Sequence, residues 1–309
     1  MKKPSRAESD SGLRGVVAAA LTPRRAGESK VDLAALLETV DFLCAAGVNG
    51  IVLFGSTGEF PHFDAGERAR ALSLAVKRSR CPVFANVSHS NLDAAVALAD
   101  EAAGAGADGV LLMPPIYFRY DQETVCQYFL TFLEAVHGIL PAYLYNIPLF
   151  ATGVAVETVA ALIAAGYGGI KDSSGDPEYF ARLLETCGAS GARLLTGSEQ
   201  LYGRFRAAGA AGVVSGVASA VPELLVHYEQ ALSEADEPRI ARLAARIGEF
   251  ISWCDQFPAP MIVREAALLR RVPAGCSAAP LGPALEARRQ EFRAWFPAWW
   301  RTAQSESVS

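Results

Sequence analysis

The sequence predicts an α/β protein, a closed (β/α)8 barrel followed by a C-terminal helical extension. Three observations carry this. From residue 15 to about 218, short apolar runs bounded by glycine or proline alternate with longer amphipathic stretches. Eight such runs are present, each followed by a helical pattern, which makes a βα array. The first run leads into Thr22-Pro23-Arg24, whereas an open doubly wound sheet usually has fewer strands and often a glycine-rich turn after the first. A length of 309 residues also suits one barrel, which takes about 250 residues, plus an appendage.

In chain order the predicted strands are 15–22, 48–54, 82–88, 107–113, 141–147, 168–172, 193–197 and 212–217. Most are continuously apolar rather than alternating, as expected for parallel strands buried on both faces. Helical patterns cover 31–46, 64–79, 91–105, 121–137, 155–165, 176–188 and 199–208. Four of them end in Ala-Gly, at Gly47, Gly106, Gly166 and Gly209, where glycine suits the residue just past a helix. After 220 no strand pattern returns. Residues 221–234, 236–256, 258–272 and 283–301 read as helices separated by proline or glycine. The expected organisation is therefore a disordered tail at 1–12, the barrel at 13–220, a helical extension at 221–303 and a disordered tail at 304–309.

Composition removes several function classes. Half the residues (51%) are hydrophobic and the net charge is -5 with no basic block, so neither nucleic acid nor an anionic membrane is an expected partner. No apolar run reaches the roughly 18 residues of a membrane span, and the polar start reads as a frayed tail rather than a secretory signal. Six cysteines are scattered singly, and four histidines show no HxH or HExxH spacing. Free thiols in a reducing, cytoplasmic setting and no metal are the expectations.

The lysines are more informative. Five of the 28 basic residues are lysine, and four of those (Lys2, Lys3, Lys30 and Lys77) lie in polar or charged stretches. Lys171 alone sits in an apolar, glycine-flanked segment, YGGIKDSSG. Burial disfavours an ammonium, and a neutral amine is a nucleophile that can form a Schiff base with a ketone. A structural ion pair with Asp172 is the bland alternative, but strand alternation points Asp172 the other way.

Reactive groups in such a barrel gather at the C-terminal ends of strands. Strand two ends in Gly55-Ser56-Thr57-Gly58-Glu59, a turn whose hydroxyls and amides suit a carboxylate and which lacks the lysine of a phosphate loop. Its alternative is a plain tight turn, and Glu59 is either an acid/base or a structural partner. Strand four ends in Pro114-Pro115-Ile116-Tyr117, and strand seven in Gly197-Ser198-Glu199. Strand five ends in Tyr145-Asn146-Ile147-Pro148, where a phenol beside an imine could relay protons or simply pack in the core. Phe60 with Phe63, and Trp295 with Trp299 and Trp300, read as packing.

Together these positions resemble the dihydrodipicolinate synthase / N-acetylneuraminate lyase family, pyruvate-dependent class I aldolases on TIM barrels. The resemblance runs from about Gly15 to Phe296 and rests on GSTGE at 55–59, YNIP at 145–148, GIKDSSGD at 169–176 and GVVSG at 212–216. It implies that Lys171 forms a Schiff base with pyruvate or a 2-keto acid, with no cofactor. It also implies that Ser56 and Thr57, in the turn opened by Gly55, bind the carboxylate, and that Tyr145 is the general acid/base. Tyr117 matches a tyrosine that completes a proton relay across a dimer interface in synthases of the family, so a homodimer or homotetramer is expected. Gly197 and Val214 match positions lining the pyruvate end.

One departure bears on the second substrate. Dihydrodipicolinate synthases carry an arginine two residues after the YNxP proline, and here that residue is Phe150, in a loop one residue longer. Gly216 also stands where the sialic acid lyases have a serine. With Phe60, this favours an acceptor less acidic than aspartate semialdehyde, that is, a lyase of 2-keto or 2-keto-3-deoxy acids. Three alternatives stay open. They are the lysine-pathway synthase, with Arg119 in place of the missing arginine, a pyruvate-binding sensor without turnover, and a metal-dependent aldolase.

Overall fold

A computed structural model describes residues 12–28, 30–136 and 138–308, so the proposed tail at 1–12 lies almost wholly outside the described residues. Eight parallel strands close into a barrel in chain order, β1 beside β8. They are β1 Gly15–Ala19, β2 Gly50–Leu53, β3 Val83–Asn86, β4 Gly109–Leu112, β5 Ala142–Asn146, β6 Gly169–Asp172, β7 Arg193–Thr196 and β8 Gly212–Ser215. Each sits within its predicted run and is shorter, because residues beyond it turn into the loops of the barrel mouth. Nearly every strand residue is buried, which explains the continuous apolar runs: one face fills the barrel and the other meets the helices.

The helices are α1 Leu33–Ala45, α2 Ala65–Arg78, α3 Leu92–Ala105, α4 Gln122–Val136, α5 Val156–Ala165, α6 Pro177–Ser190, α7 Tyr202–Ala207 and α8 Pro222–Glu234. Side-chain caps start several of them. Asp32, Asp64, Asn91 and Asp176 accept hydrogen bonds from backbone amides of the first turn, satisfying donors a helix start otherwise leaves free. Gly106 (φ 82°) and Gly209 (φ 114°) follow α3 and α7 as the Ala-Gly pattern predicts. Two short 3-10 turns, Phe60–His62 and Val217–Ser219, stand between strand and helix at β2 and β8.

Three expectations need correction. α8 packs on β1 and supplies the eighth helix of the ring, so the barrel does not stop at residue 220 and the extension begins at α9. The last helix does not stop before 304. α11 runs Pro283–Val308, with Ala303 and Ser307 buried and Glu306 paired to Arg246 (2.7 Å). These contacts reward continuing a helix whose polar end alone reads as a tail. Finally, Cys44 and Cys81 are joined in a disulfide, not free. They lie 37 residues apart, at the end of α1 and just before β3, and pairing of β2 with β3 brings those points together. Among the described residues Cys126, Cys187, Cys254 and Cys276 are free.

The extension comprises α9 Glu237–Cys254, α10 Met261–Leu269 and α11. Phe250, Phe292, Phe296 and Trp299 form its stacked and edge-on aromatic core, the packing role expected of the tryptophan cluster. Arg264 of α10 reaches the barrel, donating to the carbonyl of Thr22 (3.4 Å) and to the Glu59 carboxylate. The extension thus lies over one side of the C-terminal mouth. Among the described residues no helix is long and apolar enough to cross a membrane.

Candidate active site

Register places the central residues. Tyr145 on β5 is directly opposite Lys171 on β6, and Lys171 is opposite Leu195 on β7. Side chains that share register on parallel strands share a face. Lys171 is only 5% exposed and its Nζ lies 4.0 Å from the Tyr145 ring centroid. The Tyr145 hydroxyl, on a ring 2% exposed, shares a hydrogen bond of 2.9 Å with Ser56 Oγ at the end of β2. An amine, a phenol and an alcohol from β6, β5 and the β2 turn therefore meet inside the barrel mouth.

Two glycines explain the space beside them. A Cβ on Gly197 would stand 2.0 Å from Ser173 Oγ and 3.2 Å from Lys171 Cε, so a side chain there would displace Ser173 and crowd the lysine. A Cβ on Gly216 would stand 2.8 Å from Thr57 Oγ1, so the β8 loop packs against the Thr57 hydroxyl with backbone alone. Val214 is buried on β8 in register with Val17. Gly55 is buried at the start of the β2 turn, where a Cβ would only reach ordinary contact with Val52. Ser56, Tyr145, Lys171 and Gly197 are thus brought together, with Thr57 anchored on the opposite loop. Tyr117 is not brought in. It is 89% exposed at φ 84°, its ring edge-on to Phe118.

Several supporting residues were not singled out from sequence. Asn146, next to Tyr145, donates to Asp172 Oδ1 (2.8 Å) and accepts from the Val154 amide (3.0 Å). Ser174 donates to the same carboxylate through its hydroxyl (2.7 Å) and its amide (3.1 Å). Burial raises the Asp172 carboxyl above its ordinary pKa, and the bonds from Ser174 and Asn146 oppose the rise. Asp172 is thereby taken up on the side away from Lys171, as the alternation of β6 requires. Glu199 accepts from Ser215 Oγ (2.7 Å) and the Val217 amide (3.2 Å), holding the β8 loop that backs Thr57. Their sequence signal is weak, since a polar residue at a strand end reads as a loop until its partners are known.

Glu59 resolves to its structural alternative. It occupies a left-handed conformation (φ 51°) and pairs with Arg264, 3% exposed. Burial lowers the Arg264 pKa while Glu59 opposes the fall. Arg68 is buried as well, donating to the carbonyls of Asn86 (2.6 Å) and Ser88 (3.2 Å) and lying 5.1 Å from the Phe60 ring centroid. Burial pushes its guanidinium down to about 10, so it stays charged at neutral pH. It locks the 3-10 turn of Phe60 to the end of β3. Arg119 donates to the carbonyl of Ala151, clamping the β4 loop to the β5 loop.

A cavity of about 290 Å³ opens from Ser56 and is walled by Phe60, Met113, Ile116, Phe150 and Ala259. A concave, largely apolar mouth with a few polar groups is the expected form of a small-molecule site.

The chain is similar in sequence and in fold to known proteins. A DapA-like lyase of Chloroflexus aurantiacus is 34% identical over 68% of this chain and 72% of its own. A 4-hydroxy-tetrahydrodipicolinate synthase of Bartonella bacilliformis is 32% identical over 76% of this chain and 80% of its own. The solved dihydrodipicolinate synthase of Bacteroides thetaiotaomicron superposes with a TM-score of 0.84 at 25% identity, covering 95% of this chain and 100% of that one. The sequence model of the dihydrodipicolinate synthetase family matches residues 12–298. This chain therefore belongs to the dihydrodipicolinate synthetase family and is one of its class I aldolase-type lyases.

Proposed function

We propose that the chain is a Schiff-base lyase in which Lys171 attacks the keto carbon of pyruvate or of a 2-keto-3-deoxy acid. The imine then draws electrons from the neighbouring carbon, so that a C–C or C–O bond beyond it is made or broken. Tyr145 moves the proton at the imine and at the leaving or attacking oxygen. Ser56 and Thr57 hold the carboxylate, and Gly55, Gly197 and Val214 line its end of the pocket. The observation that carries this is the buried Lys171 amine, 4.0 Å from the ring of a tyrosine whose hydroxyl is bonded to Ser56.

Tyr117 has a place in this reading only in a homo-oligomer. Tyr117 (89%), Phe118 (63%) and Leu149 (76%) present exposed rings and an alkyl chain next to the site, and a second chain covering them would bring each protomer's Tyr117 to its partner's relay. A dimer or tetramer is proposed. The lysine-pathway synthase is the second reading, favoured by the names of relatives such as that of Bartonella bacilliformis.

Borohydride reduction in the presence of pyruvate tests the core of the proposal. The expected result is a stable adduct on the peptide carrying Lys171, together with pyruvate release from at least one 2-keto-3-deoxy acid. Adduct without turnover of any acid or aldehyde points to a sensor instead.

A further inference from the structure

We infer that the acceptor side of this site is built for an aldehyde bearing an uncharged apolar group, an aryl ring above all, rather than a second carboxylate. This rests on the Schiff-base reading above. A cavity opens off Ser56, the serine bonded to Tyr145 (2.9 Å). A substituent attached to the carbon that reacts beside the imine has this space to enter.

Its walls are Phe60, Met113, Ile116, Phe150 and Ala259. Two phenylalanines and a thioether favour a ring, because aromatic pairs and sulfur–aromatic contacts add to plain area burial. The volume of about 290 Å³ falls at the small end of ligand pockets, room for a single ring and its linker.

Charge points the same way. Besides Ser56, the polar side chains in the lining are Glu59 and His62. Glu59 carries the sign of an incoming carboxylate, and its charge is already matched by Arg264. Arg68 lies behind Phe60, buried, with its two terminal nitrogens donating to the carbonyls of Asn86 and Ser88. Arg119 is not part of the lining, and it donates to the carbonyls of Pro148 and Ala151. A second carboxylate would lose water to apolar walls with no arginine or lysine in the lining and only the His62 imidazole to meet it, which is costly. Phe150, 47% exposed, is the wall residue on the loop after β5, and a guanidinium there would reverse the preference.

The reaction balances without any further reagent. In the cleavage direction a 4-aryl-4-hydroxy-2-keto acid condenses with the Lys171 amine, releasing water. The C4 hydroxyl gives up its proton, the C3–C4 bond breaks and its electron pair passes into the C2–C3 enamine as the aryl aldehyde departs. C3 then takes a proton, and one water hydrolyses the imine to free pyruvate and the amine.

The test uses the full-length protein with pyruvate and three aldehydes in parallel: benzaldehyde, glyceraldehyde and aspartate semialdehyde. Initial rates are read from product formation, with borohydride trapping of pyruvate alone as a separate arm. Benzaldehyde should exceed aspartate semialdehyde in kcat/KM by tenfold or more. Phe150→Arg should shrink or invert that ratio, and its thermal midpoint, compared with that of the unaltered protein, shows whether it is folded. Trapping by the unaltered protein with either charged or polyhydroxylated aldehyde ahead of benzaldehyde overturns this inference alone. No trapping overturns it together with the Schiff-base reading.

Discussion

Replacing Tyr145 with phenylalanine separates chemistry from packing. The change removes one oxygen and leaves the ring, 2% exposed, in place 4.0 Å from Lys171 Nζ. What the fold loses is one neutral hydrogen bond of 2.9 Å to Ser56, and such a bond contributes a net of about 0.5–1.5 kcal/mol. The catalytic loss is larger. A positioned general acid/base contributes roughly 10²–10⁴ in rate, or about 2.7–5.4 kcal/mol at 1.36 kcal/mol per decade. Turnover should therefore fall by two to four decades while urea unfolding shifts little. Pyruvate should still be trapped by borohydride, more slowly, because Lys171, Ser56 and Thr57 remain. The assay is pyruvate release from the best 2-keto-3-deoxy acid, run beside unfolding curves of both proteins. A variant within threefold of the parent rate would refute the reasoning and return Tyr145 to the role of a core aromatic.

Lys171→Ala should abolish turnover and borohydride adduct together, with the parent protein's adduct found on Lys171 by mass spectrometry. An adduct on Lys77 or Lys30 would overturn the assignment. Arg264→Met leaves the Glu59 carboxylate without its partner in a partly buried site, and breaking such a pair costs about 3–5 kcal/mol. Urea unfolding should show that loss, and adding Glu59→Leu should recover part of it. His227, whose Nδ1 is buried without a hydrogen-bond partner, is held below its ordinary pKa of 6.5 by burial first and then by Arg239, with Glu223 opposing. A depressed pKa means that the folded protein takes up this proton less readily than the unfolded chain. Its contribution to stability is therefore full above about pH 6.5 and is lost as pH falls through the lower folded value. His227→Gln should flatten stability against pH in that window, and an unchanged slope would count against it.

The barrel was legible because burial of parallel strands on two faces leaves a local signature. All eight strands fall inside the apolar runs, and the four Ala-Gly helix ends have glycine at positive φ. Lys171 was legible for the same reason, since a lone lysine in an apolar run is costly unless it is used. The end of α11 was not. Its TAQSESVS sequence lacks an apolar stripe, and what holds it is Arg246 of α9 on Glu306 and Arg239 on the Ser307 carbonyl. Nor was the barrel boundary, because α8 resembles the later helices in pattern and differs only in what it packs against.

By itself, then, the sequence determined the strand and helix order, the closed barrel and a lone lysine in an apolar strand. These follow from periodicity and from the energetic cost of burying particular side chains, both local properties of the chain. The tertiary structure decided which alternative each ambiguous residue takes. It bound Glu59 to Arg264, 205 positions away, drew Cys44 to Cys81, left Tyr117 exposed and set Phe60, Met113 and Phe150 around one cavity. Those contacts join residues from different strands and from the extension. They exist only once barrel closure and register are set, and no periodicity along the chain encodes the distance between two loops that meet across its mouth.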